Sequence, residues 1–273
     1  MINGKTEYVA IFGNPVAHSL SPQMHNAAFS HLGLNITYLA FRVAEAREAA
    51  WAIRKLGFLG ASITVPHKEK IIAHLDEVDE IGRTIGAVNT ILSREGRLYG
   101  TNTDWLGVVQ PLEQMIELEG KRGLILGAGG AARSAIYGLQ SKGTQVFIMN
   151  RNEARGQKLA AEVNCTLVPW QAWDRFRADL VVNATTVGMS ATEDQSLVPA
   201  EWLRQGMVVL DMVYRPGKTR LLKDAERAGC GCVSGLEMLL FQGVVQFELW
   251  TGKGAPVEVM RGALEEATGG VAL

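Results

Sequence analysis

A glycine-rich segment in the middle of the chain has the residue types and spacing of a phosphate-binding turn. Gly127, Gly129 and Ala132 fit the pattern G-x-G-x-x-G/A between an apolar run and a helix-forming run. The first glycine permits a tight turn, the second lets the backbone approach a pyrophosphate, and the alanine lets the helix pack closely on the strand. A helix that starts here would donate its free amides to phosphate oxygens. Glycine-rich turns between a strand and a helix can also serve packing alone, but the fit of this one to a strand, a helix and a second strand favours a dinucleotide site.

The residues after the second strand of this segment predict which dinucleotide binds. NAD-binding proteins carry an acidic residue about 20 residues after the glycine turn, where it binds the ribose 2′-hydroxyl. Here the strand ends at Asn150 in about that place, and no carboxylate is present. Arg151 follows directly, and Arg155 lies one helical turn further on. A guanidinium group matches the geometry of a 2′-phosphate, so we expect NADP rather than NAD.

Two hydroxyl groups lie two residues apart where a strand gives way to a helix. Ser19 and Ser21, together with the unpaired amides of a helix start, could bind a carboxylate. Ser21 also has a purely structural interpretation as the N-cap of a helix with Pro22 at its first position. Ser19 has no such role, and the sequence alone leaves both interpretations of the pair open.

Lys68 is the candidate for proton transfer. It follows a buried strand predicted over 60–65 and Pro66, in the first turn of a predicted helix. The helix dipole disfavours a cation at that place, which suggests a function. An ammonium group beside a reacting carbonyl polarises it and donates a proton. The alternative is a solvated surface lysine, and the neighbouring His67 is interpreted as a turn residue.

Further polar side chains could bind a polyol substrate. Asn89 lies at the end of a predicted strand, and Asp104 could form an ion pair with Lys68 and share its proton. Thr103 or Asp104 could instead cap the helix that follows. Gln242 is an amide within an apolar helix, where its hydrogen-bond partner is either a ligand or the protein core.

Composition excludes several classes of protein. The 273 residues are 47% hydrophobic and 20% charged, with a net charge of −1 and no lysine or arginine cluster. We therefore expect a small-molecule substrate and neither nucleic acid nor a membrane as partner. No stretch reaches the roughly 18 apolar residues of a membrane span. The three cysteines suggest reduced thiols in a cytoplasmic protein, and no metal site is expected.

Strand and helix signals alternate along the chain, which predicts an α/β fold with mainly parallel sheets. The predicted elements include a hairpin of strands 87–92 and 98–101, a helix over 104–117, short strands over 180–183 and 208–211, and a final helix over about 257–267. Residues 104–235 are expected to form a Rossmann domain that binds NADP. Two helices predicted after residue 234 are too many for that domain. We therefore expect residues 236–273 to complete a discontinuous α/β substrate-binding domain that begins with residues 1–103. The active site would lie in the cleft between the two domains.

Taken in order, these segments resemble the shikimate dehydrogenase family over nearly the whole chain. The matching motifs are SLSP at 19–22, TVPHK at 64–68, GAVNT at 86–90, NTD at 102–104, GAGGAAR at 127–133, NR at 150–151, NATTVGM at 183–189, DMVY at 211–214 and GLEMLLFQ at 235–242. The resemblance implies reversible, NADPH-dependent reduction of 3-dehydroshikimate to shikimate in chorismate and aromatic amino acid biosynthesis.

The resemblance also implies roles for individual residues. Lys68 and Asp104 correspond to the catalytic pair, and Ser19 and Ser21 to the groups that bind the substrate carboxylate. The other expected substrate contacts, made together with Asp104, are Thr64, Asn89, Tyr214 and Gln242. The expected cofactor contacts are Gly127, Ala128, Gly129, Gly130, Ala131, Asn150, Arg151, Arg155, Thr185, Met212, Gly235 and Met238, the last beside the nicotinamide.

Departures from the family pattern leave some alternatives open. Asn152 and Arg155 replace the threonine and lysine common after Asn-Arg, which keeps the polarity but leaves the tolerance of NAD undecided. One alternative is a quinate/shikimate dehydrogenase that uses NAD or NADP. Another is a non-catalytic NADP-binding paralogue, against which the presence of both Lys68 and Asp104 argues. A monomer or a homodimer is expected.

Overall fold

The computed structural model describes residues 2–269, which divide into two compact units. One unit contains residues 2–103 and 239–269, and the other contains residues 104–238. Each unit is built on its own six-stranded sheet. Within the described residues, no helix combines the length and the apolar character needed to cross a lipid bilayer.

The regular elements alternate between strands and helices along most of the chain. The strands are β1 (Glu7–Gly13), β2 (Ile36–Arg42), β3 (Gly60–Ile63), β4 (Glu77–Val78), β5 (Thr90–Arg94), β6 (Arg97–Thr101), β7 (Arg122–Leu126), β8 (Gln145–Met149), β9 (Thr166–Leu167), β10 (Leu180–Asn183), β11 (Val208–Asp211) and β12 (Gly231–Val233). The helices are α1 (Ser21–His31), α2 (Ala46–Leu56), α3 (Glu80–Ile85), α4 (Asp104–Glu113), α5 (Gly130–Ser141), α6 (Glu153–Glu162), α7 (Arg220–Arg227), α8 (Gly235–Thr251) and α9 (Val257–Ala267).

The sheet of the first unit is mixed. Its strand order is β2-β1-β3-β5-β6-β4, with parallel pairs β1/β2, β1/β3 and β4/β6 and antiparallel pairs β3/β5 and β5/β6. The antiparallel part contains the predicted hairpin, whose turn residues Glu95 and Gly96 have φ of 52° and 76°. Two positive φ values in succession match the twist of the flanking strands. Phe12, Ile63 and Ile91 are buried in the core beneath these strands.

The sheet of the second unit is parallel throughout. Its order, β12-β11-β10-β7-β8-β9, is that of a Rossmann fold, and the order reverses at β7. Strands β10 and β11 have the predicted bounds because each is a short apolar run buried along its whole length. The glycine turn follows β7, at the reversal point where such sheets bind ligands. This arrangement confirms the predicted α/β Rossmann fold.

Three local predictions were wrong. Lys68 does not lie in an α-helix but in a turn before the 3₁₀ helix Lys70–His74, where its carbonyl oxygen accepts the amide hydrogen of Val88 instead of one four residues further along the chain. Ser21 is the first residue of α1 rather than its N-cap, which is Leu20. Helix α4 ends at Glu113, four residues earlier than predicted. The short elements β4, β9, β12 and α3 were not predicted.

The cysteines are free thiols in the part of the chain that the structure describes. Burial raises the pKa of Cys165 and, with nearby negative groups, that of Cys232 to about 11, so both stay protonated near neutral pH. Among residues 2–269, histidine, cysteine and acidic side chains form no group of three that could bind a metal ion.

Candidate active site

The glycine turn after β7 has the geometry of a dinucleotide site. Gly127 has a φ of 114°, and a β-carbon there would lie 3.1 Å from the carbonyl oxygen of Ala184. Gly129 is the N-cap of α5 in extended conformation and makes no side-chain cap. The helix start therefore has no capping side chain in front of its amides, and it fits a phosphate group.

The small residue at the end of the pattern brings α5 onto the sheet. Ala132 is fully buried in the core that also contains Ile125 of β7 and Ile148 of β8. Ala128, Gly130 and Ala131 are half-buried, as expected for a surface that a ligand can reach. Ala132 therefore has the packing role that the sequence predicts, and the binding role of its neighbours stays a prediction.

The end of β8 presents amide and guanidinium groups beside this turn. Asn150 is half-buried, and its Nδ2 donates to the carbonyl oxygen of Asn152 at 2.7 Å. Asn152 caps α6 by accepting the amide hydrogen of Arg155. The Nε of Arg155 donates to the carbonyl oxygen of Ala128 at 2.9 Å, which brings that side chain onto the glycine turn. Arg151 is exposed. The donor set fits a phosphorylated ribose better than a free 2′-hydroxyl.

The loop after β10 is held by a buried polar network. Asn183 accepts the amide and hydroxyl hydrogens of Thr185 at 3.1 and 2.7 Å and donates to Asp211 Oδ1 at 2.8 Å. Asp211 also accepts from the Val213 amide and, at 2.6 Å, from the Thr219 hydroxyl. Burial raises the pKa of Asp211 to about 6, and these three donors oppose the rise. The network fixes half-buried Thr185, one of the expected cofactor contacts.

Met212, in the loop after β11, and Gly235, at the start of α8, are two expected cofactor contacts that lie close together. A β-carbon on Gly235 would lie 2.6 Å from the carbonyl oxygen of Met212, so the helix start and this loop are in close contact. Met238, one turn into α8, is buried in the core of the second unit. Tyr214 is half-buried in the same loop.

In the first unit, the two expected carboxylate-binding hydroxyls are buried at the start of α1. Ser19 and Ser21 are 8% and 3% exposed, and Ser19 Oγ accepts the Ser21 amide hydrogen at 3.3 Å. Neither hydroxyl caps the helix, because Leu20 is the N-cap and no side chain makes a capping hydrogen bond there. Helix α1 begins at this point, so two hydroxyls and its first amides occur together.

The turn after β3 contains the candidate proton donor. Thr64 and Lys68 are half-buried, and the Lys68 carbonyl oxygen accepts the Val88 amide hydrogen at 2.8 Å, which fixes the backbone there. His67 is 1% exposed, and its Nε2 lies 3.1 Å from the Val43 carbonyl oxygen. This imidazole supports the turn, as the sequence suggested.

Asn89 is the centre of a buried polar cluster in this unit. Its Oδ1 accepts the Thr103 amide hydrogen and the Thr90 hydroxyl hydrogen, each at 2.7 Å. Its Nδ2 donates to Thr103 Oγ1 at 3.0 Å and to Gln242 Oε1 at 3.4 Å. The structure therefore brings together Asn89 and Gln242, two of the expected substrate contacts that are far apart in the sequence.

Gln242 makes hydrogen bonds within the protein, and its role as a ligand contact stays a prediction. It is 6% exposed, and its Nε2 donates to the Leu239 carbonyl oxygen of its own helix at 2.8 Å. Asp104, the other carboxylate of interest, is 4% exposed and is the first residue of α4, where the helix dipole favours a negative charge.

Sequence reasoning missed several buried polar residues that support this cluster. Gln246 is 1% exposed and hydrogen-bonds with Ser62 and Thr90, and the Ser62 hydroxyl accepts from Tyr38. The signal available in the sequence was an amide four residues after Gln242, on the same face of an otherwise apolar helix.

Known protein families match three stretches of this chain. The models described as "Shikimate dehydrogenase substrate binding domain", "Shikimate / quinate 5-dehydrogenase" and "Shikimate 5'-dehydrogenase C-terminal domain" match residues 11–91, 111–213 and 235–265.

Individual relatives match over almost the full length. The chain is 44% identical over 270 residues to the shikimate dehydrogenase (NADP(+)) of Syntrophobacter fumaroxidans, covering 96% of this chain and 94% of the relative. It is similar to the crystal structure of shikimate 5-dehydrogenase from Thermus thermophilus in complex with NADP(H) and shikimate. That similarity has a TM-score of 0.88 and 40% identity, covering 96% of this chain and 99% of the other. Quinate dehydrogenase from Corynebacterium glutamicum in complex with NAD has a TM-score of 0.87 at 30% identity, with 96% and 99% covered. The chain therefore belongs to the shikimate dehydrogenase family.

Proposed function

We propose that this protein is an NADP-dependent shikimate dehydrogenase, which reversibly reduces 3-dehydroshikimate to shikimate in chorismate and aromatic amino acid biosynthesis. The observation that carries the proposal is that both units match one family while the chain is 44% identical to an NADP-dependent member over nearly its full length. A cytoplasmic location is part of the proposal.

The second unit supplies the cofactor site in this proposal. When bound, NADPH would supply the hydride for the reduction, and NADP would accept it in the reverse direction. Gly127 and Gly129 leave room for the pyrophosphate, the first amides of α5 donate to it, and Arg151 binds the 2′-phosphate. Thr185 and Met238 contribute further contacts with the cofactor.

The first unit supplies most of the substrate contacts. Ser19 and Ser21 bind the carboxylate through their hydroxyls. The remaining groups donate to or accept from the ring hydroxyls and are Thr64, Asn89, Tyr214 and Gln242. Because these groups are neutral, the site recognises a polyol by hydrogen bonding, which discriminates strongly against analogues that lack a hydroxyl.

Lys68 and Asp104 form the catalytic pair in this proposal. In the reducing direction Lys68 donates a proton to the oxygen of the reacting ketone, and in the oxidising direction it accepts the hydroxyl proton. The Val88 amide donates to the Lys68 carbonyl oxygen, which fixes the backbone from which the ammonium group extends.

An absorbance assay with the purified protein tests the proposal. With shikimate and NADP we expect the NADPH band to grow, and with 3-dehydroshikimate and NADPH we expect it to decline. NADPH binding by fluorescence titration without turnover in either direction would instead support the non-catalytic paralogue.

A quinate/shikimate dehydrogenase is the second candidate, favoured by the fold shared with the NAD-bound quinate dehydrogenase. Turnover of shikimate and quinate, each with NADP and with NAD, separates the two. The arginines after β8 and the absence of an acidic residue there favour shikimate dehydrogenase with NADP.

A further inference from the structure

We infer that Gln246 is a positioning residue, which sets the hydrogen-bonding direction of Asn89 through a buried chain of side chains. The chain runs from Tyr38 to Ser62, Gln246, Thr90 and Asn89, and each member is at most 5% exposed. This inference rests on the proposed function, because Asn89 is a substrate contact only within that proposal.

The chain begins with two side chains that the sheet places side by side. Ser62 of β3 and Thr90 of β5 are directly paired across the antiparallel ladder, so both side chains are on the same face. Gln246 of α8 bridges them. Its Oε1 accepts the Ser62 hydroxyl hydrogen at 2.9 Å, and its Nε2 donates to Thr90 Oγ1 at 2.8 Å.

The orientation of the Gln246 amide follows from its neighbours. Nε2 also lies 3.4 Å from the backbone carbonyl oxygen of Asn89, a group that only accepts hydrogen bonds. The amide end that faces Asn89 and Thr90 is therefore the NH₂ group. The opposite end must be the oxygen, which only accepts, and Ser62 must donate to it.

The direction of the other hydrogen bonds in this series of five side chains then follows. Ser62 uses its single hydrogen on Gln246, so its oxygen accepts the hydrogen of the Tyr38 hydroxyl at 2.6 Å. Thr90 accepts from Gln246, which leaves its own hydrogen for the oxygen Oδ1 of Asn89 at 2.7 Å. The five side chains thus form one head-to-tail series of donors.

The consequence for Asn89 concerns which of its atoms are left for a ligand. With the Thr90 hydroxyl and the Thr103 amide both donating, the two lone pairs of Oδ1 are occupied. The hydrogens of Nδ2 point to Thr103 Oγ1 at 3.0 Å and to Gln242 Oε1 at 3.4 Å, so Asn89 meets a ligand only as a donor, in exchange for one of these contacts. Without Gln246, the Thr90 hydrogen is able to turn toward Thr103 Oγ1, which lies 3.2 Å away. Asn89 would then offer an acceptor as well, and its preference for one substrate geometry would weaken.

Substitutions of residues in this hydrogen-bonded series test the inference by steady-state kinetics. We expect Gln246→Leu and Thr90→Val to raise the KM for shikimate about three- to tenfold and to change kcat much less, the size of effect of a neutral hydrogen bond. Thr90→Ser keeps the hydroxyl and should restore the wild-type KM. The double variant should be no worse than the more affected single variant, because both substitutions interrupt the same series.

The pH dependence of the KM of a charged variant separates a positioning role of Gln246 from a purely structural one. Gln246→Glu keeps the shape but replaces the donor that faces Thr90 with an acceptor. Burial raises the pKa of a carboxyl group, so protonation below neutral pH restores a donor. We therefore expect the KM of this variant to fall toward the wild-type value as the pH decreases from 8.5 to 6.5, relative to the wild-type profile.

Trp250→Phe is the matched control. It removes a buried hydrogen bond from the same helix to the same strand, from Trp250 Nε1 to the Ile91 carbonyl oxygen at 3.0 Å, without touching Thr90. We expect it to lower the melting temperature and leave the KM unchanged. If the Gln246 and Thr90 variants lose stability but keep the KM and its pH profile, the inference is wrong. If the wild-type protein turns over no shikimate, the proposed function fails instead.

Discussion

The Nε of Arg155 donates to the carbonyl oxygen of Ala128 at 2.9 Å, which ties α6 to the glycine turn. The sequence shows two arginines near the end of β8 and predicts one role for both. The structure separates them, because Arg155 is attached to the turn while Arg151 precedes the capping residue Asn152. The two side chains should therefore respond differently to substitution.

Arg151→Ala should change the choice of cofactor. A charge-assisted hydrogen bond contributes about 1.5–3 kcal/mol, so we expect the KM for NADP to rise about 10- to 100-fold while the KM for NAD stays unchanged. Arg155→Ala should raise both KM values by a smaller, similar factor, because it loosens the turn that both cofactors use. Kinetics with each cofactor check this, and an unchanged NADP preference in Arg151→Ala would exclude Arg151 as the 2′-phosphate ligand.

Gly127→Ala should damage the cofactor site. A φ of 114° is strained for any residue with a β-carbon, and that carbon would lie 3.1 Å from the Ala184 carbonyl oxygen. We expect at least a tenfold rise in the KM for NADP and a lower melting temperature. Gly262→Ala is the control, because its β-carbon would meet nothing within 4 Å in α9. That substitution should leave the KM unchanged and stabilise the helix slightly.

Lys68→Met should lower kcat about 10²- to 10⁴-fold, the usual contribution of a general acid, with only a modest change in KM. Lys70→Met removes an exposed ammonium group two residues away and should have little effect. Initial rates in both directions check this. A variant of Lys68 with a raised KM and an unchanged kcat would place the ammonium in substrate binding rather than in proton transfer.

Asp211 should make the protein less stable as the pH rises from about 4 to 6. Burial raises its pKa to about 6, above the unfolded value of 3.8, so the native state binds the proton more tightly in this window. The contribution is largest below pH 4 and is lost as the carboxyl ionises. The Asp211→Asn variant has no carboxyl group to ionise, so it does not lose this stability as the pH rises. Its Nδ2 is able to donate to Thr219 Oγ1. We expect the stability of the variant relative to wild type to improve by about 2 kcal/mol between pH 4 and pH 8.

Urea unfolding of both proteins at several pH values measures that difference. Thr219→Val removes the 2.6 Å hydrogen bond that holds the pKa down, so it should move the window upward. A stability difference between Asp211→Asn and wild type that does not vary with pH would contradict the interpretation.

His25 should make the protein less stable as the pH falls, the opposite of the effect of Asp211. It is fully buried against the Tyr38 ring at 4.7 Å, neither ring nitrogen has a hydrogen-bond partner among the described residues, and burial lowers its pKa to about 3. Below the unfolded value of 6.5 the unfolded chain binds the proton first, so stability falls as the pH decreases. His25→Phe keeps a ring among Phe29 and Phe247 and should gain about 2 kcal/mol more at pH 5 than at pH 8. An equal gain at both pH values would show that protonation of His25 plays no part.

The fold class could be predicted from the sequence because its signals are local. The short apolar runs of β10 and β11 and the helix α9 have the predicted bounds, and Gly57 ends α2 with a φ of 73°. Elements of two or three residues, such as β4 and β9, could not be predicted, because strand pairing rather than local preference makes them.

The sequence by itself determined the glycine turn, because the pattern of glycines is visible without a structure. The structure gives the physical reason: a φ of 114° and the close approach of the backbone admit only glycine at Gly127. The sequence also determined the absence of a carboxylate after β8, and hence the expectation of NADP. Only the tertiary structure decided that Arg155 lies on Ala128 and that Gln246 joins Ser62 to Thr90. Such contacts depend on register and helix docking, which bring together side chains up to 184 positions apart, as for Ser62 and Gln246.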